Sequence, residues 1–273
     1  MPVISRVTAD ATLVMPDGSV ITLNEATRNS RITSHDNIEI IHADDGGLVY
    51  ETQSAVAEAT TNTTLNVPRG MTFYIALEDG THVWLNADSK LHFPAVFGKT
   101  ERRVILEGEG YFDVKSDSQR PFIVETANQQ LTILGTQFNL SAYPDEQKTL
   151  TTLVEGSVFL SVTGGGSTTV LKPGQQAVLS PEGLIVNEVN TRDISIWRDG
   201  VFKFDGCTLS EVFIKLSRWY DFDYTLDSNA ENRIFRGNIK VYEDVYPIFD
   251  VIEMVAQVGI TMKGESINIK MTK

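Results

Sequence analysis

The sequence predicts a mainly β protein in two parts. An all-β domain, solenoid-like or layered, spans residues 1–195, and a small α+β domain of βαβ-βαββ order spans 196–273. Three observations carry this reading. Up to about residue 190, apolar residues recur with a period of two and no helical stripe interrupts them. The stretch DGSVITLN at 17–24 returns as DGTHVWLN at 79–86, an offset of 62, as stacked units do when none can bury its apolar face alone. After Trp197 the period becomes that of amphipathic helices.

The strands follow in order. MTFYIAL places Met71, Phe73, Ile75 and Leu77 on one face and Thr72, Tyr74 and Ala76 on the other. The same alternation marks Val104 and Leu106, Phe112 and Val114, Phe122 and Val124, Leu131 and Ile133, Phe138 and Leu140, and Val158, Leu160 and Val162, before QQAVLS and GLIVNEV. Asp17-Gly18, Asp79-Gly80, Gly164–Gly166, Pro173-Gly174 and Pro181-Glu182-Gly183 supply the backbone geometries that reversals need.

Beyond Trp197, VFKF is a strand and TLSEVFIKLSRWY a helix whose stripe is Leu209, Val212, Phe213, Leu216, Trp219 and Tyr220. Thr208 and Glu211 form its capping box. FDYTL is the next strand. IFRGNIKV then opens a second unit whose helix carries Val245, Ile248, Phe249, Ile252 and Val255, 36 residues after the first stripe. Asp244 is its expected N-cap, Pro247 falls in its first turn and Gly259 is its expected C-cap. ITMKG and SINIKM close the chain as a hairpin.

Composition narrows the function. With 41% hydrophobic residues, including 13 Phe, 8 Tyr and 3 Trp, the chain has a full core. A net charge of −13 repels phosphate backbones and anionic lipids, so nucleic acid and acidic membranes are poor partners and a protein or neutral ligand is favoured. The single cysteine, Cys207, allows no intramolecular disulfide and leaves the redox compartment open. No run approaches the ~18 apolar residues of a membrane helix, and the start lacks a signal-peptide layout. Any membrane anchor is expected to lie outside this sequence.

Candidate chemistry is sparse, and no enzyme, cofactor or metal is expected. Glu107, Glu109 and Asp113 share a face by alternation, as a hydrolase carboxylate pair or a solvated strand face would. His82 and His92 lie close in sequence and could join His35 or His42 at a metal, but no i, i+4 pair and no second cysteine accompany them. TGGGST at 163–168 lacks the lysine of a phosphate loop and is read as a hairpin tip. HADDGG at 42–47 starts like a calcium loop without its later carboxylate. Cys207 is expected to be small and buried, and Trp219 core. Trp84 is out of phase with Val83 and Leu85. It could be exposed or pack between layers, and with Tyr74 and Tyr111 it offers the platforms of an alternative reading, a periplasmic or secreted glycan-binding β module.

An ordered set of motifs resembles one family. VPRG (67–70), LEDGTHVWLNADSKLHFP (77–94), RRVILEGEGYFDV (102–114), PFIVET (121–126), ILGTQFNL (133–140), LVEGSVFL (153–160) and LKPGQQAVL (171–179) are similar to those of FecR proteins, anti-sigma regulators of cell-surface signalling. Gly110 stands where that family usually carries Ala. The tail from Trp197 resembles the C-terminal domain of the Bacteroidota members, itself like the secretin/TonB short N-terminal domain. The resemblance implies the periplasmic part of a single-pass inner-membrane protein that meets the signalling domain of a TonB-dependent outer-membrane transporter. It also implies that an extracytoplasmic-function sigma factor is held only by a cytoplasmic segment absent here. No ligand is then expected. IFRGNIKV and SINIKM are the candidate docking edges, with Phe235, Arg236, Asn238, Lys240, Ile267 and Ile269 as candidate partner-binding residues.

Overall fold

The computed structural model describes residues 4–33, 38–43, 47–52, 62–192, 194–263 and 266–272. The chain divides into two compact units. One comprises residues 10–68 and 72–194, and the other the chain from Ser195 together with residues 4–9 and 69–71.

The larger unit is a curled sheet of 18 strands among the described residues. Its first half contains β1 (Ala11–Val14), β2 (Val20–Leu23), β3 (Ser30–Thr33), β4 (Ile38–His42), β5 (Leu48–Thr52), β6 (Asn62–Val67), β7 (Phe73–Ala76), β8 (His82–Leu85) and β9 (Ser89–Pro94). Its second half contains β10 (Arg102–Val114), β11 (Phe122–Glu125), β12 (Gln129–Ile133), β13 (Thr136–Ala142), β14 (Thr149–Glu155), β15 (Val158–Val162), β16 (Thr168–Leu171), β17 (Gln175–Ser180) and β18 (Gly183–Glu188). Pairing creates two ladders that share β10. The first runs β2-β1-β6-β9-β10-β11-β12-β15-β16. The second runs β3-β4-β5-β7-β8-β10-β13-β14-β17-β18. The chain visits the two alternately.

The alternation of the sequence becomes columns of side chains running across each ladder. Leu13, Leu65, Leu91 and Leu106 stand opposite one another on four successive strands of the first ladder, all fully buried. Leu48, Ile75, Val83, Phe112, Phe138 and Leu153 do the same across the second. Each such side chain contributes about 2 kcal/mol on leaving water. The two inward faces meet: Tyr50 contacts Phe93 edge-on at 5.2 Å, and Phe112 contacts Phe122 at 6.4 Å while stacking on Phe138 at 4.9 Å.

β10 passes from one ladder to the other at Gly108, and the passage needs a glycine. Its φ is +100°, and a Cβ there would come within 2.7 Å of Ser89 Cα and Cβ. Ser89 Oγ instead accepts the Glu109 amide at 2.9 Å.

The smaller unit follows the order the sequence predicts, with its strands divided into two sheets. β19 (Val201–Thr208) pairs antiparallel with β21 (Ile234–Lys240). β20 (Asp223–Leu226), β23 (Ser266–Met271) and β22 (Val258–Lys263) form the other sheet, in that spatial order. Helix α1 (Leu209–Ser217) starts with the expected capping box: Thr208 Oγ1 accepts the Glu211 amide at 3.2 Å and Glu211 Oε2 accepts the Thr208 amide at 2.9 Å. Leu209, Val212, Phe213 and Leu216 of its stripe are buried, but the helix ends at Ser217, so Trp219 and Tyr220, expected to continue the stripe, are buried beyond it in the following turn and bridge. Helix α2 (Tyr246–Ala256) departs from expectation at both ends. Val245 takes the N-cap position without a side-chain cap, while Asp244 Oδ1 accepts the Tyr246 amide at 2.9 Å. The helix ends on Gln257 in the left-handed region, φ 57°, so Gly259 lies inside β22 opposite Lys270. Val255 is 48% exposed and Ala256 takes the buried place, because the stripe of a 3.6-residue helix drifts round over its last turn.

Candidate functional site

The outward side of β7, β8 and β10 gathers the side chains that resemble a site. Tyr74, Trp84 and Tyr111 are cross-strand neighbours. Trp84 lies 5.0 Å from Tyr74 at 46° and 5.9 Å from Tyr111 at 67°, and His82 meets Tyr74 edge-on at 5.6 Å. The rings are inclined to one another, as in a self-packing aromatic row, and do not form one coplanar surface. Beside them Glu109 accepts Asn86 Nδ2 at 2.8 Å and Asn139 Nδ2 at 2.9 Å.

The three carboxylates expected on one face have separate surroundings. Glu107 belongs to the first ladder, with Lys90 Nζ at 3.9 Å and His92 Nε2 at 3.7 Å. Glu109 and Asp113 belong to the second, where Asp113 stands opposite His82 and Gln137. Alternation is preserved along β10, but the change of ladder at Gly108 gives its two halves different neighbours.

The histidines are likewise dispersed. Buried His42 pairs with Thr27 Oγ1 at 3.0 Å, and His92 with Thr64 Oγ1 at 2.8 Å. His35 and residues 44–46 of HADDGG lie outside the described residues. Among the described residues no three His, Cys, Asp or Glu side chains are grouped to hold a metal. The 163–168 segment joins β15 to β16 as a hairpin. Cys207 is half-buried rather than buried, because it follows a bulge in β19 at Asp205/Cys207.

Sequence reasoning missed one constellation. Arg102 and Asp79 form an ion pair at 2.6 Å with side chains 1% and 2% exposed. Arg102 Nε also donates to Arg120 O at 2.9 Å, and Nη1 to Lys115 O at 2.8 Å, while the guanidinium lies 5.4 Å from the Phe122 ring. Asp79 in turn accepts the Thr81 amide at 2.9 Å and Thr81 Oγ1 at 2.7 Å. The network ties the turn before β8 to the start of β10 and the loop after it. Its signal was in the sequence: Arg102 shares the phase of Val104 and Leu106, so alternation points it inward.

The expected docking edges divide. β21 pairs only with β19 among the described residues, leaving its other edge open. Phe235 and Ile239 are buried, whereas Arg236, Asn238 and Lys240 are exposed. β19 places Asp205 opposite Arg236 and Lys203 opposite Asn238, so three cations and one carboxylate cover this outward face of an acidic chain. β23 corrects the other expectation. It is the middle strand, hydrogen-bonded to β20 and β22, with Ile267 and Ile269 fully buried, so its backbone groups are already paired.

Two family models match this chain. Residues 63–159 match the family model described as FecR protein, and residues 201–269 match that of the FecR C-terminal region. No curated protein matches the chain. Two crystal structures of a protein from Parabacteroides distasonis ATCC 8503, assigned as an anti-sigma factor, superpose with TM-scores of 0.72 at 25% identity. One covers 78% of this chain and 100% of its own, and the other 77% and 99%.

Proposed function

Because the chain belongs to the FecR family of anti-sigma factors, we propose that it is the periplasmic sensing part of a membrane-anchored member. In this reading it relays a signal from a TonB-dependent outer-membrane transporter to an extracytoplasmic-function sigma factor through protein contacts alone. No described helix is long and apolar enough to cross a membrane. The anchor and the sigma-binding segment would then belong to parts of the protein outside this sequence.

One observation carries the proposed docking surface: the open edge of β21 bears Arg236, Asn238 and Lys240 outward while Phe235 and Ile239 hold it to the core. An unpaired edge presents a row of amides and carbonyls that a partner strand can satisfy, and its cations favour a partner bearing carboxylates. The test is a pulldown and titration with the transporter's N-terminal signalling domain. Reversing charge at Arg236→Glu and Lys240→Glu should weaken binding roughly tenfold or more. Undiminished binding by that variant, or by a chain lacking residues 196–273, would sink this surface.

A further inference from the structure

Residues 4–9 precede the first strand and carry no periodic signal, yet Ile4–Val7 run through the smaller unit as an extended strap. On one side Arg6 N donates to Glu243 O at 2.8 Å and Val245 N donates to Ile4 O at 3.2 Å. On the other, Val7 N donates to Trp219 O at 3.1 Å, and Arg6 is bridged to Tyr220. Hydrogen bonding on both edges is how an inserted strand is held. Side chains lock the register: Ile4 is 8% exposed, and the Arg6 guanidinium lies 5.2 Å from the Trp219 ring centroid and donates to Gly70 O.

The residues around the strap form a slot. Gly70 N donates to Arg218 O at 2.8 Å, which brings the 69–71 segment against the strap. A Cβ on Gly70 would fall 2.8 Å from both the carbonyl carbon and the Cβ of Val7, so only glycine leaves room there. Buried Tyr220 braces the slot: its hydroxyl donates to Tyr242 O at 2.7 Å and accepts the Tyr242 amide at 3.0 Å. Burial pushes this hydroxyl up to about 12.

We propose that the groove between Trp219–Tyr220 and Glu243–Val245 is a strand-binding slot for an extended segment with an aliphatic residue and an arginine two positions on, filled in cis by Ile4–Val7 as a releasable strap. A few backbone bonds, the Arg6 contacts with Trp219 and Gly70 and the buried Ile4 side chain hold it, all of them local, so it opens without unfolding the core beneath. Opening frees the chain before β1 and exposes it to proteases. The inference stands on this chain alone, so it survives or fails independently of the transporter reading. Should that reading hold, the slot lies in the same unit as β21 and gives docking there a route to the N-terminal chain.

The test uses the full chain and trypsin cleavage after Arg6, read by mass spectrometry. Gly70→Ala should accelerate that cleavage at least tenfold. Gly18→Ala is the control, because Gly18 has nearly the same positive φ, 83° against 81°, but nothing within 4 Å of an added Cβ. Arg6→Ala, read by hydrogen exchange at the Val7 and Val245 amides, should show a similar rise with the melting temperature of the larger unit unchanged. A labelled peptide of residues 3–9 should bind Arg6→Ala, whose own strap is loosened, and not Gly70→Ala. Wild-type cleavage after Arg6 as fast as after exposed Arg192, or equal rates in the Gly70 and Gly18 variants, overturns the strap. Peptide binding to neither variant overturns the slot.

Discussion

The hairpins β1–β2 and β7–β8 are the same object in two positions. Their registers match residue for residue at an offset of 62: Ala11 opposite Leu23 corresponds to Phe73 opposite Leu85, and Leu13 opposite Ile21 to Ile75 opposite Val83. The turns match too. Met15 N donates to Ser19 O at 2.8 Å and Leu77 N to Thr81 O at 2.9 Å, while Asp17 and Asp79 each accept an amide two residues on. Gly18 and Gly80 have φ of 83° and 82°. Yet Asp17 is exposed where Asp79 is ion-paired, and Thr22 stands where Trp84 packs between two tyrosines. The reason is position. Among the described residues β2 ends its ladder, with Val20 60% exposed, whereas β8 is followed by β10, which brings Tyr111 and Arg102. Residues that look catalytic in the second hairpin are what an interior strand needs to fit its neighbours.

The largest test of this contrast removes the buried charge. Arg102→Ala leaves Asp79 buried and unpaired and should cost about 3–5 kcal/mol. Asp79→Asn should approach that figure, whereas replacing both by apolar residues of similar volume should cost less than either single change. Urea midpoints at constant m-value decide it. Next comes the aromatic row: Trp84→Ala should cost roughly 2–3 kcal/mol, less than a fully buried tryptophan because the ring is partly exposed, with Thr22→Ala within about 0.5 kcal/mol.

The turns should behave alike. Gly18→Ala and Gly80→Ala should each cost about 1–2 kcal/mol, since both place a side chain in the left-handed region, with Gly80→Ala slightly the larger because its Cβ would lie 3.1 Å from Lys115 Cδ where Gly18 has open space. A much larger loss at Gly80 would mean that the turns are not equivalent. The smallest effect is Asp17→Asn, within about 0.5 kcal/mol, because the amide oxygen can still accept the Ser19 amide. If it matched Asp79→Asn, the comparison would fail.

Much of this was legible. Strand alternation is local, so Ile75, Val83, Leu106 and Phe112 could be placed inward before any pairing was known, and the Thr208–Glu211 box fixed the start of α1. The end of α2 was less legible, because local preference pointed to Gly259 as the C-cap while the helix stops on Gln257, a residue with no such preference, where its packed stripe ends. The docking edges were half legible. IFRGNIKV and SINIKM have similar local patterns, and only pairing distinguishes a strand with one neighbour from a strand with two.

The sequence alone determined the two-part β then α+β organisation, the turns, the inward faces and the family, because each depends on short-range periodicity or on motifs in order. Tertiary structure alone decided which copy of the hairpin is interior, that Arg102 finds Asp79, that β23 is central, and that Ile4–Val7 lie between Trp219–Tyr220 and Glu243–Val245. Each of these joins segments far apart in the chain. Backbone amides and carbonyls pair with any strand that reaches them, so the packing of the whole unit must select the partner.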